Sequence, residues 1–151
     1  MVYSSSGIGF LRAENVFGYD VLDKSEIKYI TIDTHNGDLK RSIINENDIL
    51  ITIAGTLGRT ALVRKCDLPL NANQAVSIIR IVNSKLMNLK YIIYLLNAPS
   101  TQKNFTKQKK ITAIPNLTLE IISNCIIPIA PLSQQNKIVS KIDCLFSQIN
   151  N

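Results

Sequence analysis

The chain has 151 residues, an apolar fraction of 46% and a net charge of +6. That size predicts one domain with room for an appendage, and no apolar run approaches membrane-spanning length. The cysteines Cys66, Cys125 and Cys144 form no C-x-x-C pair and the single histidine, His35, has no ligand partner at metal spacing, so no metal site is expected, and the odd cysteine count without a signal peptide points to a reducing cytoplasm.

Met1–Gly7 is serine-rich and expected to be loose. Ile8–Arg12 and Glu26–Ile32 read as strands, the second leading to a turn at His35-Asn36-Gly37-Asp38, because Asn-Gly accepts positive φ. Asp48–Ala54 reads as a buried strand, Gly55–Gly58 as a turn, Thr60–Arg64 as the returning strand, and Gln74–Val82 as a further strand. Spacing becomes helical over Lys85–Asn97, where Leu86, Leu89, Ile93 and Leu96 share a face. Pro99 ends that helix; Thr101–Lys110 is polar and basic, with Phe105 its one large apolar residue. Leu117–Ser123 reads as a short helical turn capped by Asn116 or Thr118, and Asn124–Ile129 as a closing strand stopped by prolines. A helix follows over Ser133–Asn151, with Ser133 as its N-cap. Ile138, Ile142, Leu145 and Ile149, spaced by four, three and four, form a stripe that needs another helix to cover it. The order predicts an α+β fold: a mixed or antiparallel, β-rich domain with a few helices over 1–131, then a projecting C-terminal helix over 132–151.

Residues 1–67 hold eight basic and nine acidic side chains. From Leu68 to Leu119 there is no acid and there are seven bases: Arg80, Lys85, Lys90, Lys103, Lys107, Lys109 and Lys110. A field of one sign attracts and steers a polyanion; a solvated helix face is the alternative. Lys103, Lys107 and Lys110 share a helix face, where like charges repel unless an anion sits opposite. With Lys109 they read as facing nucleic acid. Arg12, Lys40 and Arg41 are further candidates, each among acidic neighbours.

The familiar enzyme motifs are missing. There is no G-x-x-x-x-G-K-S/T, no G-x-S-x-G and no Asn-Pro-Pro-aromatic run of an amino-type adenine methyltransferase. Glu26-Ile27-Lys28 has a nuclease-like Glu-x-Lys form without an upstream Pro-Asp. In Ala54–Thr60, two glycines allow close backbone approach, the Thr56 and Thr60 hydroxyls can donate to phosphate or base edges, and Arg59 can grip a phosphate or a guanine edge. An ordinary hairpin turn with a solvated arginine is the alternative. Amide side chains such as Asn73 and Gln74 read adenine well and also cap turns; for Asn71 turn capping is preferred.

Several segments together resemble one family. Ile127-Pro128-Ile129-Ala130-Pro131-Leu132 followed by Gln135, then Ile138-Val139-Ser140-Lys141-Ile142-Asp143, resembles the end of a target recognition domain and the start of the spacer helix in specificity subunits of type I restriction-modification systems. Gly9–Val16 resembles the family's early strand, Asn47–Gly58 its strand and turn, and Asn71–Val76 its Asn-Gln-Ala segment. The match runs over nearly the whole chain in order. It implies a non-catalytic DNA-binding module without a cofactor. In that family a complete subunit has two such domains, held apart by paired helices, each reading half of a bipartite site. The subunit positions modification subunits, which methylate adenine from S-adenosylmethionine, and a restriction subunit, which translocates and cuts.

The resemblance therefore implies double-stranded DNA, a modification (methyltransferase) subunit and a restriction subunit as partners, and no membrane. DNA contacts are expected from Arg12, Thr56, Arg59, Asn73, Gln74, Lys103, Lys107, Lys109 and Lys110. The chain departs from the pattern in having one recognition domain, an abrupt start and a helix of about 19 residues, roughly 28 Å long. A half-subunit or truncated product is expected, two copies pairing through Ile138, Ile142, Leu145 and Ile149. The rival readings are a nuclease or DNA methyltransferase in its own right, and a protein–protein adaptor with a solvated basic face.

Overall fold

The structure, a computed structural model, describes residues 3–106 and 117–149. Its strands are β1 (Ile8–Leu11), β2 (Val16–Gly18), β3 (Val21–Leu22), β4 (Lys28–Ile30), β5 (Ile43–Ile44), β6 (Ile49–Thr52), β7 (Thr60–Leu62), β8 (Leu70–Ala72) and β9 (Val76–Ile79). The helices are α1 (Ile32–Asn36), α2 (Leu89–Asn97), α3 (Pro99–Thr106), α4 (Leu119–Ser123) and α5 (Leu132–Ile149). One sheet has the order β4-β1-β8-β5, a second β7-β6-β9, and β2 and β3 form a hairpin. β1 and β8 run parallel; the other pairs are antiparallel.

β6 is the centre of the body. Ile49 and Ile51 pack with Tyr91, Ile92, Ile93 and Leu96 of α2 and with Phe105, Leu117 and Val139. Leu50, on the opposite face, joins Leu11, Val16, Ile44, Ala61, Val63 and Leu70. A strand covered on both faces reads as an unbroken apolar run, as Ile49-Leu50-Ile51 does. Each such side chain contributes roughly 1.5–3 kcal/mol by leaving water.

The expected strand Glu26–Ile32 is shorter than the pattern suggested. Thr31 leaves the ladder to cap α1, its hydroxyl accepting from the Thr34 N–H at 3.2 Å. Asn36-Gly37 then closes a helix and not a hairpin, with the Gly37 N–H donating to the Asp33 carbonyl at 2.8 Å. The helix expected from Lys85 starts at Leu89 because Asn88 caps it, accepting from the Lys90 and Tyr91 N–H groups at 3.0 and 3.2 Å. Pro99 both follows α2 and opens α3, where its missing N–H costs nothing. The expected closing strand at Asn124–Ile129 does not pair with any described strand. Cys125 and Ile127 pack on the α2 cluster and the Tyr91 hydroxyl donates to the Pro128 carbonyl at 3.0 Å, so side chains hold the segment instead of a ladder.

α5 starts at Leu132, one residue before the expected cap. The Pro131 carbonyl accepts from the Gln134 and Gln135 N–H groups, placing Ser133 inside the first turn. With 18 residues the helix is about 27 Å long. One face seats on α2 through Gln135, Val139 and Asp143. Gln135 accepts from the Asn88 N–H at 2.8 Å and donates to the Ala130 carbonyl at 2.7 Å. The predicted stripe faces away: Ile138, Leu145 and Ile149 are 40, 47 and 76% exposed, and Ile142 is half-buried.

Asp143 accepts from the Lys90 ammonium at 2.8 Å and from the Tyr94 hydroxyl. Burial alone would raise its carboxyl, but hydrogen bonds from Lys90 and Tyr94 outweigh that and hold it below its ordinary 3.8. Burial, and then the Asp143 carboxylate, push the Tyr94 hydroxyl up. A carboxyl depressed by folding adds stability above its unfolded value, and that stability is lost as pH falls through the folded one. Asp143→Asn is therefore expected to flatten the acid limb of the stability profile below the ordinary carboxylate range, read by thermal melting from about pH 6 down to about pH 3.

Candidate nucleic-acid interface

The topology gathers several loops at one end of the body. Because β1 and β8 are parallel, their C-terminal ends lie together, and the Asn73 N–H donates to the Leu11 carbonyl at 2.8 Å. Because β6 and β9 are antiparallel, the start of β9 meets the end of β6, and the Ile53 N–H donates to the Ala75 carbonyl at 2.8 Å. The segment at Arg12, the loop Asn73–Ala75 and the turn after β6 are thus neighbours. The β2–β3 hairpin joins them through the Asp20 N–H, which donates to the Thr60 carbonyl at 3.2 Å. α3 joins through Gln102, whose Nε2 donates to the Gly58 carbonyl at 3.0 Å.

The turn after β6 is tightly built. Thr52, fully buried, donates its N–H to the Arg59 carbonyl at 2.9 Å, and its own carbonyl accepts from the Gly58 N–H at 2.8 Å. Its hydroxyl accepts from the Arg59 N–H at 3.0 Å and donates to the Thr56 carbonyl. Gly55 and Gly58 sit at φ +74° and +79°, where L side chains are strained. At Gly58 a Cβ would also lie 2.6 Å from the Gln102 amide oxygen.

The hairpin turn is unusual in having positive φ at two residues that are not glycine, Tyr19 (+46°) and Asp20 (+75°). Asp20 fixes it: its carboxylate accepts from the Leu62 N–H at 2.9 Å and from Arg64 at 2.5 Å. Such conformations persist where the surroundings determine them. The hairpin displays Phe17, 59% exposed, with the Arg59 guanidinium carbon 5.6 Å above its ring centre. The Tyr19 ring meets the edge of Phe146 on α5 at 6.1 Å.

The predicted residues fall into two groups. Thr56, Gln74 and Lys103 are exposed and Arg59 is partly so; their side chains have no hydrogen-bond or ion-pair partner among the described residues. Arg12 is committed within the chain, to Glu14 at 2.6 Å and to the Glu26 carbonyl at 3.4 Å. Asn73 caps its own turn, accepting from the Ala75 N–H at 3.0 Å. Lys107, Lys109 and Lys110 lie outside the described residues. The Thr60 hydroxyl is buried against the Asn97 amide at 2.5 Å and faces no solvent. Asn71 is buried in β8, bonded to His35, to the Leu39 carbonyl at 2.9 Å and to the Ser42 hydroxyl at 3.2 Å.

Charge is redistributed by the fold. Arg80 grips Asp48 with two 2.7 Å bonds and Lys90 grips Asp143, so two bases of the acid-free stretch are matched by acids from other segments. Lys85 and Lys103 remain exposed. Glu26 and Lys28 are exposed, and among the described residues no group of three His, Cys, Asp or Glu could hold a metal ion. No helix of the described residues is long and apolar enough to cross a membrane. Phe17 and Gln102 belong to the loop end but were not predicted; the alternation of buried Val16 and Gly18 with exposed Phe17 and Tyr19 is the strand signal that marks the first of them.

A β-rich body, loops gathered at one end, uncommitted polar and basic side chains there and a trailing amphipathic helix define a recognition module. Residues 11–151 match the model of the type I restriction modification DNA specificity domain, and the chain belongs to that family. Among curated relatives it is 31% identical over 120 residues to the type I restriction enzyme EcoBI specificity subunit of Escherichia coli, covering 74% of this chain and 25% of that protein. It is 25% identical over 152 residues to the EcoAI specificity subunit of the same organism, covering 98% of this chain and 25% of that protein. The chain thus spans about a quarter of the length of these relatives. The fold is shared with the HsdS subunit from Thermoanaerobacter tengcongensis, at TM-score 0.74 and 18% identity over 97% of this chain and 37% of that one. It is also shared with a chain from the structural study of complex assembly and conformational transition of the type I R-M system, at TM-score 0.69 and 17% identity over 99% of this chain and 33% of that one.

Proposed function

We propose that the chain reads double-stranded DNA sequence-specifically, as a recognition domain of a type I restriction-modification specificity subunit. The observation that carries this is the coincidence of family membership over residues 11–151 with a loop end that leaves Thr56, Arg59, Gln74 and Lys103 uncommitted. In this reading residues 1–131 grip DNA, with Lys103, Lys107, Lys109 and Lys110 meeting phosphates and Arg12 and Asn73 shaping the loops beside them. The chain catalyses nothing itself. Methyl transfer and cleavage belong to modification and restriction subunits in the cytoplasm. Residues 132–151 carry the stripe Ile138, Ile142, Leu145 and Ile149 toward a second helix, from another copy or another half-subunit. Fluorescence anisotropy with a duplex of mixed sequence tests the DNA reading. Four phosphates neutralised by lysine give a log–log salt slope of about −3.6, so affinity is expected to fall roughly a hundredfold between ~50 and ~200 mM salt. Absence of binding to any duplex at the low end overturns the proposal and favours an adaptor.

A further inference from the structure

We propose that Arg59 reads a guanine edge in the major groove, and that Phe17 is the positioning residue that aims it; the inference rests on the DNA-reading function above. An arginine can serve DNA as a charge on a phosphate or as an oriented fork on a base. The surroundings of Arg59 favour the fork. Its guanidinium lies 5.6 Å over the Phe17 ring, within the reach of cation–π attraction. Attraction of the cation to a ring face uses up no N–H donor, so the donors of the fork stay open for bidentate bonds. Those donors have no partner among the described residues, whereas Arg12, Arg64 and Arg80 are held by Glu14, Asp20 and Asp48.

The backbone beneath Arg59 is fixed as well. Thr52 binds the Arg59 N–H and carbonyl, and Gln102 holds the Gly58 carbonyl. The Arg59 stem lies beside Gly18 of the hairpin, whose φ of +99° is one that L side chains rarely adopt. A group ordered before binding loses little freedom on binding, and such preorganisation serves orientation-dependent readout. Lys103, by contrast, is an exposed point charge on a flexible stem, which suits a phosphate. The display element also fits. The major groove admits a two-stranded β-ribbon, and the β2–β3 hairpin is one, with Phe17 and Val21 exposed on its strands.

The test uses the full chain and a pool of randomised duplexes, with sequencing of what is retained at low salt. The wild-type chain is expected to enrich a motif containing a G·C pair. Arg59→Lys keeps the charge and loses the fork. It is expected to lose roughly tenfold to hundredfold of the preference at that pair, with an unchanged salt slope. Phe17→Ala is expected to weaken the same preference and Phe17→Tyr to restore it; Phe17 is exposed, so the fold is kept. Lys103→Ala is expected to weaken binding to all duplexes alike and to reduce the slope by about one. An unchanged motif for Arg59→Lys overturns base reading by Arg59. Full discrimination in Phe17→Ala, with discrimination lost in Arg59→Lys, overturns the positioning role. A wild-type chain that binds DNA but enriches no motif overturns this inference and leaves general DNA binding standing; one that retains no duplex overturns the proposed function itself.

Discussion

Replacing Gln135 by leucine is expected to weaken the seat of α5 by about 2–5 kcal/mol, although the two side chains are close in volume. Gln135 is 1% exposed and makes its bonds in both directions, accepting from the Asn88 N–H and donating to the Ala130 carbonyl. Leucine fills the space and leaves unpaired a donor and an acceptor on half-buried residues, together costing about 2–5 kcal/mol with some relief from water at the rim. Asn88 is also the cap of α2, so the damage reaches the helix that covers β6. The loss is bounded by the docking energy of α5, because the helix can lift off and rehydrate both groups. Hydrogen exchange along Leu132–Ile149 should accelerate together with a fall in melting temperature; unchanged protection there would refute the assignment. In the sequence this residue is the glutamine that follows Pro131-Leu132 in the family-like segment, and its place in the fold gives that pattern a physical cause.

The second large effect is expected at Asp48. This carboxylate is 1% exposed. It accepts from the Asn45 N–H at 2.7 Å and from two Arg80 nitrogens, each at 2.7 Å. Asp48→Ala is expected to cost about 3 kcal/mol, since bonds to charged groups contribute most. The turn before β6, where Asn47 sits at φ +69°, loses its brace. Arg80→Ala should cost less, because the Arg80 side chain is 55% exposed and Asp48 keeps the Asn45 N–H. A double-mutant cycle in denaturant measures the coupling. Arg80→Ala also separates charge that binds DNA from charge that holds the fold: the salt slope of DNA binding should not change.

The long apolar-periodic segments were legible and the short polar ones were not. Ile49-Leu50-Ile51 and the Ile93/Leu96 face announce themselves because their burial is unconditional. α1 has the sequence pattern of a strand and a turn because Ile32 and the Asn-Gly pair fit both; the Thr31 hydroxyl decides otherwise through a contact three residues ahead. The β2–β3 hairpin has no local turn signal because its positive-φ turn carries Tyr19 and Asp20, held by Leu62 and Arg64 from more than forty residues away. Asn71 read as a turn cap because nothing local shows that His35 and Ser42 close over it. At the interface the Gly55–Arg59 turn was visible from its glycines. The neutralisation of Arg80 and Lys90 was not, because their acids arrive from distant segments.

The side chains that tie α5 to the body run from Gln135 to Phe146. Beyond that point the described helix makes no further side-chain bond to the body. Each residue inserted there would advance whatever follows by about 1.5 Å and swing its azimuth by about 100°, with every anchoring contact intact. Reach and rotational phase are therefore coupled in this module, and both can drift under mutation without retuning the loops proposed to read DNA.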